Sequence, residues 1–179
     1  MHRSRRISIR ATLPCLGLIL ACAGGPPATE VTEARTAAVG FALTERATVV
    51  ALAKRCQFDP VADESLAERA QAALQSWSAR NRVVIDAANA YQADYLAVFA
   101  RRSGRSKAAE QEEILNRQYS DAGESVARRM IDEVGGRGAC PELLERLAGG
   151  GLDVSSSPEF EPVLRELIQK YVASDPPRS

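Results

Sequence analysis

From about residue 29 onward, apolar side chains recur every three or four positions, and nowhere do they alternate with polar ones. That period gathers them on one face of an α-helix, whereas strict alternation would mark a half-buried strand. The first helix predicted this way spans residues 29–55, with Val31, Ala34, Ala38, Phe41, Val49 and Leu52 facing inward, and Asp59-Pro60 closes the turn after it. The second spans residues 63–102. Its stripe of Leu66, Ala70, Ala73, Trp77, Asn81, Val84, Ala88, Tyr91, Tyr95 and Val98 advances only in steps of three and four. Such sustained spacing predicts coiled-coil-like packing along most of a long helix. Leu74, Ile85, Leu96 and Phe99 widen the stripe, as a bundle interior requires.

Ser103-Gly104 breaks that helix, and a third spans residues 106–134, with Ile114, Leu115, Ala122, Val126, Met130 and Val134 as inward candidates and a stop at Gly135-Gly136. A short fourth helix, residues 141–147, starts on proline and ends at Gly149-Gly150-Gly151. The fifth begins near Ser157-Pro158 or at Glu161-Pro162 and buries Phe160, Leu164, Leu167 and Tyr171. Short connections make neighbouring helices antiparallel. The expected fold is therefore all-α: an up-down antiparallel bundle of four to five helices, two of them long, forming one domain over residues 29–175 with a tail at 176–179.

The first residues follow a different rule. Met1 to Arg10 carries four arginines and no acid, and residues 11–21 form an apolar run too short to span a bilayer. This is the layout of a cleavable export signal. Ile19-Leu20-Ala21-Cys22 resembles the bacterial lipobox, with Leu20 bulkier than usual at its position. The resemblance implies a signal over residues 1–21, a diacylglycerol and an acyl chain such as palmitate on Cys22, and a flexible tether over residues 22–28. Ala23 after the cysteine resembles cargo sorted to the outer membrane of Gram-negative bacteria. Ala21-Cys22-Ala23 is the rival, an A-x-A site whose cleavage after Ala23 would release a soluble periplasmic protein. Ser4-Arg5-Arg6 resembles a twin-arginine signal, although Ser8 stands where an aromatic is usual.

Composition then narrows the chemistry. The precursor has 23 Lys+Arg and 23 Asp+Glu; Arg3, Arg5, Arg6 and Arg10 leave with the signal, so the remainder is acidic at net −4. An acidic domain is a poor partner for nucleic acid. The single histidine is His2, inside the signal, which removes Ser-His-Asp and Cys-His catalysis and imidazole metal sites from the exported chain. No cofactor and no metal are expected. Cys15 leaves with the signal and Cys22 carries the anchor, so Cys56 and Cys140 remain as an even pair in an oxidising compartment. The up-down topology brings both to the same end of the bundle, as a disulfide requires.

Two clusters are candidates for function. Trp77, Arg80 and Asn81 interrupt the apolar stripe of the second helix, and counting along the neighbours puts Glu45, Tyr119 and Asp121 at a similar height. The expectation is a polar layer in which Arg80 meets Glu45 or Asp121 while Asn81 bonds across the core. It serves either to set register or to line a ligand pocket. Arg101, Arg102, Arg105 and Lys107 put four cations in one turn between the long helices, at the end where the chain would be tethered. That turn is either a solvated loop or a contact with anionic head groups.

Other matches fail. Glu64-Ser65 and Glu124-Ser125 resemble the Glu-Ser of lytic transglycosylases, but the Gly-Leu-Met-Gln segment of that family is missing. Gly135-Gly136-Arg137-Gly138 lacks the Lys-Ser/Thr of a phosphate loop. Glu110, Glu112 and Glu113 read as a solvated face. The function expected is a lipid-anchored envelope protein acting as a non-enzymatic binding module, for a protein partner or the cell-wall layer. The alternatives are a small-ligand binder with its pocket at Trp77–Asn81 and, last, an enzyme working with carboxylates alone.

Overall fold

In the computed structural model, residues 31–59, 64–136 and 138–172 are described. The signal, Cys22, the tether and the tail lie outside them. The described residues form five α-helices: α1 (Glu33–Gln57), α2 (Glu64–Ser103), α3 (Arg105–Val134), α4 (Cys140–Ala148) and α5 (Glu161–Tyr171), with a single 3₁₀ turn at Val154–Ser156 before α5.

Local chemistry sets the ends. The Thr32 hydroxyl accepts from the Arg35 N–H at 3.2 Å and caps α1, with Glu33 in its first turn and Lys54 and Arg55 in its last. Gly104 alone joins α2 to α3, and its φ of 92° is one that few side chains tolerate. Gly135 ends α3 in the same region of backbone space, at φ 122°. Prolines stand in the first turns of α4 and α5, where a missing N–H costs nothing.

The two long helices and α1 form an up-down bundle, with α4 and α5 packed along the free side of α2. By length and composition α1 could cross a membrane. In the bundle, however, its apolar side chains pack against α2, α3 and α5. The stripe on α2 is buried without interruption from Ala70 to Tyr91, with Leu66, Tyr95 and Val98 half-buried at its ends. Trp77, Leu52, Leu143, Leu144, Leu147 and Leu167 are the largest side chains fully enclosed. At the end where α1 stops, Cys56 and Cys140 form a disulfide with a Cα–Cα distance of 5.4 Å, joining α1 to the first residue of α4.

The inner face of α3 differs from the expected one. Ile114 is 39% exposed and Ala122 is exposed, while Ala108, Gly123 and Ala127 are buried. The cause is the closeness of α1. A Cβ on Gly123 would sit 2.6 Å from the backbone of Ala47 and Thr48, so only small residues fit at the crossing and the larger apolar side chains straddle it. Val31 and Ala34 are likewise exposed at the start of α1. Gly123→Ala tests this crossing. Helix propensity alone would stabilise that variant by about 0.5–1 kcal/mol. Overpacking against Ala47 should reverse the sign and destabilise it by about 1–3 kcal/mol, read as a lower urea midpoint.

Candidate functional site

Trp77, Arg80 and Asn81 share one face of α2, one turn apart. The segment that covers this face is residues 147–154, the end of α4 and the first part of its connection to α5. Gly150, at φ 85°, turns the chain back so that its polar groups point at α2. The Trp77 indole N–H donates to the Leu152 carbonyl at 2.7 Å. Asn81 is 3% exposed and fully engaged: its amide donates to the Trp77 carbonyl and to Asp153 Oδ1, each at 2.9 Å, and its oxygen accepts from the Val154 N–H at 2.9 Å.

Arg80 completes the cluster. Its Nε donates to Asp153 Oδ2 at 2.9 Å and its Nη2 to Oδ1 at 3.1 Å, a two-pronged pair. The same guanidinium reaches the carbonyls of Leu147 and Ala148, at 2.6 and 3.1 Å. Those carbonyls end α4 and have no partner within the helix, so Arg80 caps it with a cation of the favourable sign. Burial alone would raise the Asp153 carboxyl. Hydrogen bonds from Arg80 and Asn81, with the charge of Arg80, outweigh it and hold the group below the usual carboxylate range.

This arrangement corrects the expected layer. Arg80 pairs with Asp153, and neither Glu45 nor Asp121 joins it. Equal height does not make a contact: a helix turns by about 100° per residue, and the face that carries Arg80 points at the α4–α5 connection. Asp121 is exposed on α3. Glu45 is half-buried on α1, where burial pushes its carboxyl up. Tyr119 is half-buried on α3, its hydroxyl pushed up by burial and by neighbouring Tyr95. It lines a cavity of about 90 Å³ with Thr36, Tyr91, Gln92 and Tyr95. The Gln92 side-chain oxygen is buried there without a hydrogen-bond partner. The cavity falls well short of the roughly 300 Å³ at which ligand pockets begin.

The open surface lies elsewhere. Along the outer face of α1, Arg46, Val50, Lys54 and Phe58 follow one another at four-residue steps. Arg46, Val50 and Lys54 line a groove of about 370 Å³, bounded by Asn89 of α2 and by Asn116, Tyr119 and Ser120 of α3. The groove continues into a hollow of about 460 Å³ beside Phe58, Glu124 and Ile131. Val50 is 45% and Phe58 70% exposed. Arg55 lies 3.9 Å from Glu124, whereas Arg46 and Lys54 have no acidic partner among the described residues. This stripe was readable as a cation–apolar alternation at helical spacing. Spacing alone does not set it apart, because half of it fits an ordinary solvated face.

Arg101, Arg102, Arg105 and Lys107 are all exposed at the α2–α3 turn. Among the described residues, no group of three or more His, Cys, Asp or Glu is placed to hold a metal ion. No protein-family model matches the chain, and no curated protein or solved structure matches it significantly.

Proposed function

We propose that this chain is a lipid-anchored protein of the cell envelope that binds a protein partner and catalyses no reaction. One observation carries the choice of partner. The polar positions at Trp77–Asn81 are filled by the chain's own backbone and by Asp153, while Val50 stands exposed between Arg46 and Lys54, which have no acidic partner among the described residues, and Phe58 stands exposed in the adjoining hollow. A filled polar cluster offers no room to a small ligand. An exposed apolar strip flanked by polar groups is what a protein interface uses. The groove has the length and period that suit an amphipathic helix or extended segment of a partner. The anchor at Cys22, on the periplasmic side of the outer membrane, is supported by the lipobox resemblance, and the absence of histidine beyond His2 supports a non-enzymatic role.

Two measurements test the two halves. A photo-activated cross-linking residue placed at Val50 or Phe58 should yield a discrete protein adduct in intact cells, and the same residue at exposed Gln75 should not. The Arg46→Glu/Lys54→Glu variant should remove the adduct. Equal adducts at all three positions, or none, would overturn the partner reading. Incorporation of a palmitate analogue should disappear in Cys22→Ala, along with membrane fractionation. Unchanged labelling would overturn the anchor.

A further inference from the structure

We infer that the α2–α3 turn is a second membrane contact, which holds anionic phospholipid head groups through Arg101, Arg102, Arg105 and Lys107. The Thr36 and Tyr91 hydroxyls lie 3.3 Å apart, and the Tyr171 hydroxyl donates to Asp94 Oδ2 at 3.0 Å. The start of α1 and the end of α5 are therefore level with Tyr91 and Asp94. From Tyr91, α2 continues to Ser103, about 18 Å further at 1.5 Å per residue. Glu33 precedes Thr36 by one turn, so the α2–α3 turn stands roughly 13 Å beyond the first residue of α1. Among the described residues, only α3 accompanies α2 over this distance. The two form an arm with Ala108 buried in its seam and Tyr95 stacked on Phe99 at a ring separation of 6.4 Å.

Charge is segregated onto the tip. Between Asp94 and Glu110 the chain has four cations and no acid. All four are exposed, and none has an ion-pair partner among the described residues. Other arginines of the bundle do pair, Arg69 with Glu145 and Arg117 with Glu113 among them. The four cations thus cluster at the tip itself, while the exposed Glu110, Glu112 and Glu113 stand about 8–12 Å back along α3. The tip also carries no exposed large apolar side chain, the anchor that a protein interface would need. A compact cationic tip on an acidic body suits a charged surface read without shape, which is a leaflet of anionic lipid.

Reach is sufficient. A tether from Cys22 to Thr32 can extend about 35 Å at 3.3–3.6 Å per residue, more than the arm's lead over α1. The inference rests on the envelope reading only for the identity of the surface. An arm seated on the same leaflet as the acyl chains would fix the orientation of the bundle, with the disulfide end pointing away.

The test uses the full chain carrying Cys22→Ser, which has no acyl chain, and vesicles of phosphatidylglycerol and phosphatidylethanolamine. Arg101→Glu/Arg102→Glu is compared with Arg128→Glu/Arg129→Glu. The second pair is an equally exposed pair on α3, about 35 Å from the turn, with the same change in net charge. The arginines near the N-terminus are present in both variants and cancel. Each cation near an anionic surface is worth about fivefold in partitioning, so the first pair should lose at least twentyfold and the second less than threefold. On vesicles of phosphatidylcholine alone the two pairs should not differ, and inorganic phosphate at matched ionic strength should not compete. Equal losses from the two pairs, no loss, or the same difference between the pairs on phosphatidylcholine would overturn the inference. Displacement by inorganic phosphate would overturn the assignment to a lipid surface. Acylation of Cys22 is read separately by labelling, so the anchor and the arm can fail independently.

Discussion

Reducing the Cys56–Cys140 disulfide, or replacing both cysteines by alanine, should lower the unfolding free energy by about 4–5 kcal/mol. The bridge closes a segment with a sequence separation of 84, and the loop-closure entropy it removes from the unfolded chain grows with the logarithm of that length. Its Cα–Cα distance of 5.4 Å lies within the ordinary range for a disulfide, so this gain is not offset by displaced backbone. The consequence is local as well as global. Helix α4 has nine residues, too few to persist alone in water, and Leu143, Leu144 and Leu147 must hold it once the bridge is gone. Urea unfolding with and without reductant measures the global term, and the melting temperature should fall by about 10–18 °C for a domain of this size. Hydrogen exchange should show α4 and residues 147–154 losing protection before α1 and α2. A change below about 1 kcal/mol would mean that the unfolded chain already keeps the two ends together.

The second large effect is expected at Asn81. Asn81→Ala removes a buried side chain that makes three hydrogen bonds at once, leaving the Val154 N–H unpaired and Asp153 short of one donor, while the Trp77 carbonyl keeps only its helical N–H. Unpaired buried groups of this kind cost about 1–3 kcal/mol each. Because neighbours relax and some water enters, the net loss should be about 3 kcal/mol, measured by denaturant titration at neutral pH. Asp153→Asn should act in the same direction but with a pH signature. The folded-state carboxyl is held below its ordinary value of 3.8, so its contribution is complete above that pH and is lost as pH falls through the folded value. Wild type and Asp153→Asn should therefore differ most at neutral pH and converge in acid. Curves that stay parallel down to acid pH would show that the charge of Asp153 does not hold the connection. Neither variant should alter vesicle partitioning by the arm, since Asn81 and the α2–α3 turn lie about 30 Å apart along α2.

Much of this architecture could be read from residue order. The stripe from Ala70 to Tyr91 is buried as its spacing implies, because three- and four-residue steps return to the same side of a helix whatever that helix meets. The glycine and proline stops place every helix within a few residues, because they act through backbone sterics within a single turn. Cys56 and Cys140 were the only cysteines left to pair once the N-terminal two were set aside, and topology brought them together.

Partners across the bundle were not readable in the same way. Height alone pairs Arg80 with Glu45 or Asp121, yet its carboxylate is Asp153, on a connection that folds back over α2 after Gly150. The large apolar side chains of α3 suggested its inner face, yet the closeness of α1 gave that place to Gly123 and Ala127. The groove along Arg46, Val50, Lys54 and Phe58 exists only because α2 and α3 flank α1 without covering it. Periodicity is a property of one helix and fixes which side must be buried. Which neighbour buries it, how near that neighbour comes and what remains open depend on the angles between helices and on where the chain turns back. Those are decided by packing among residues far apart in sequence.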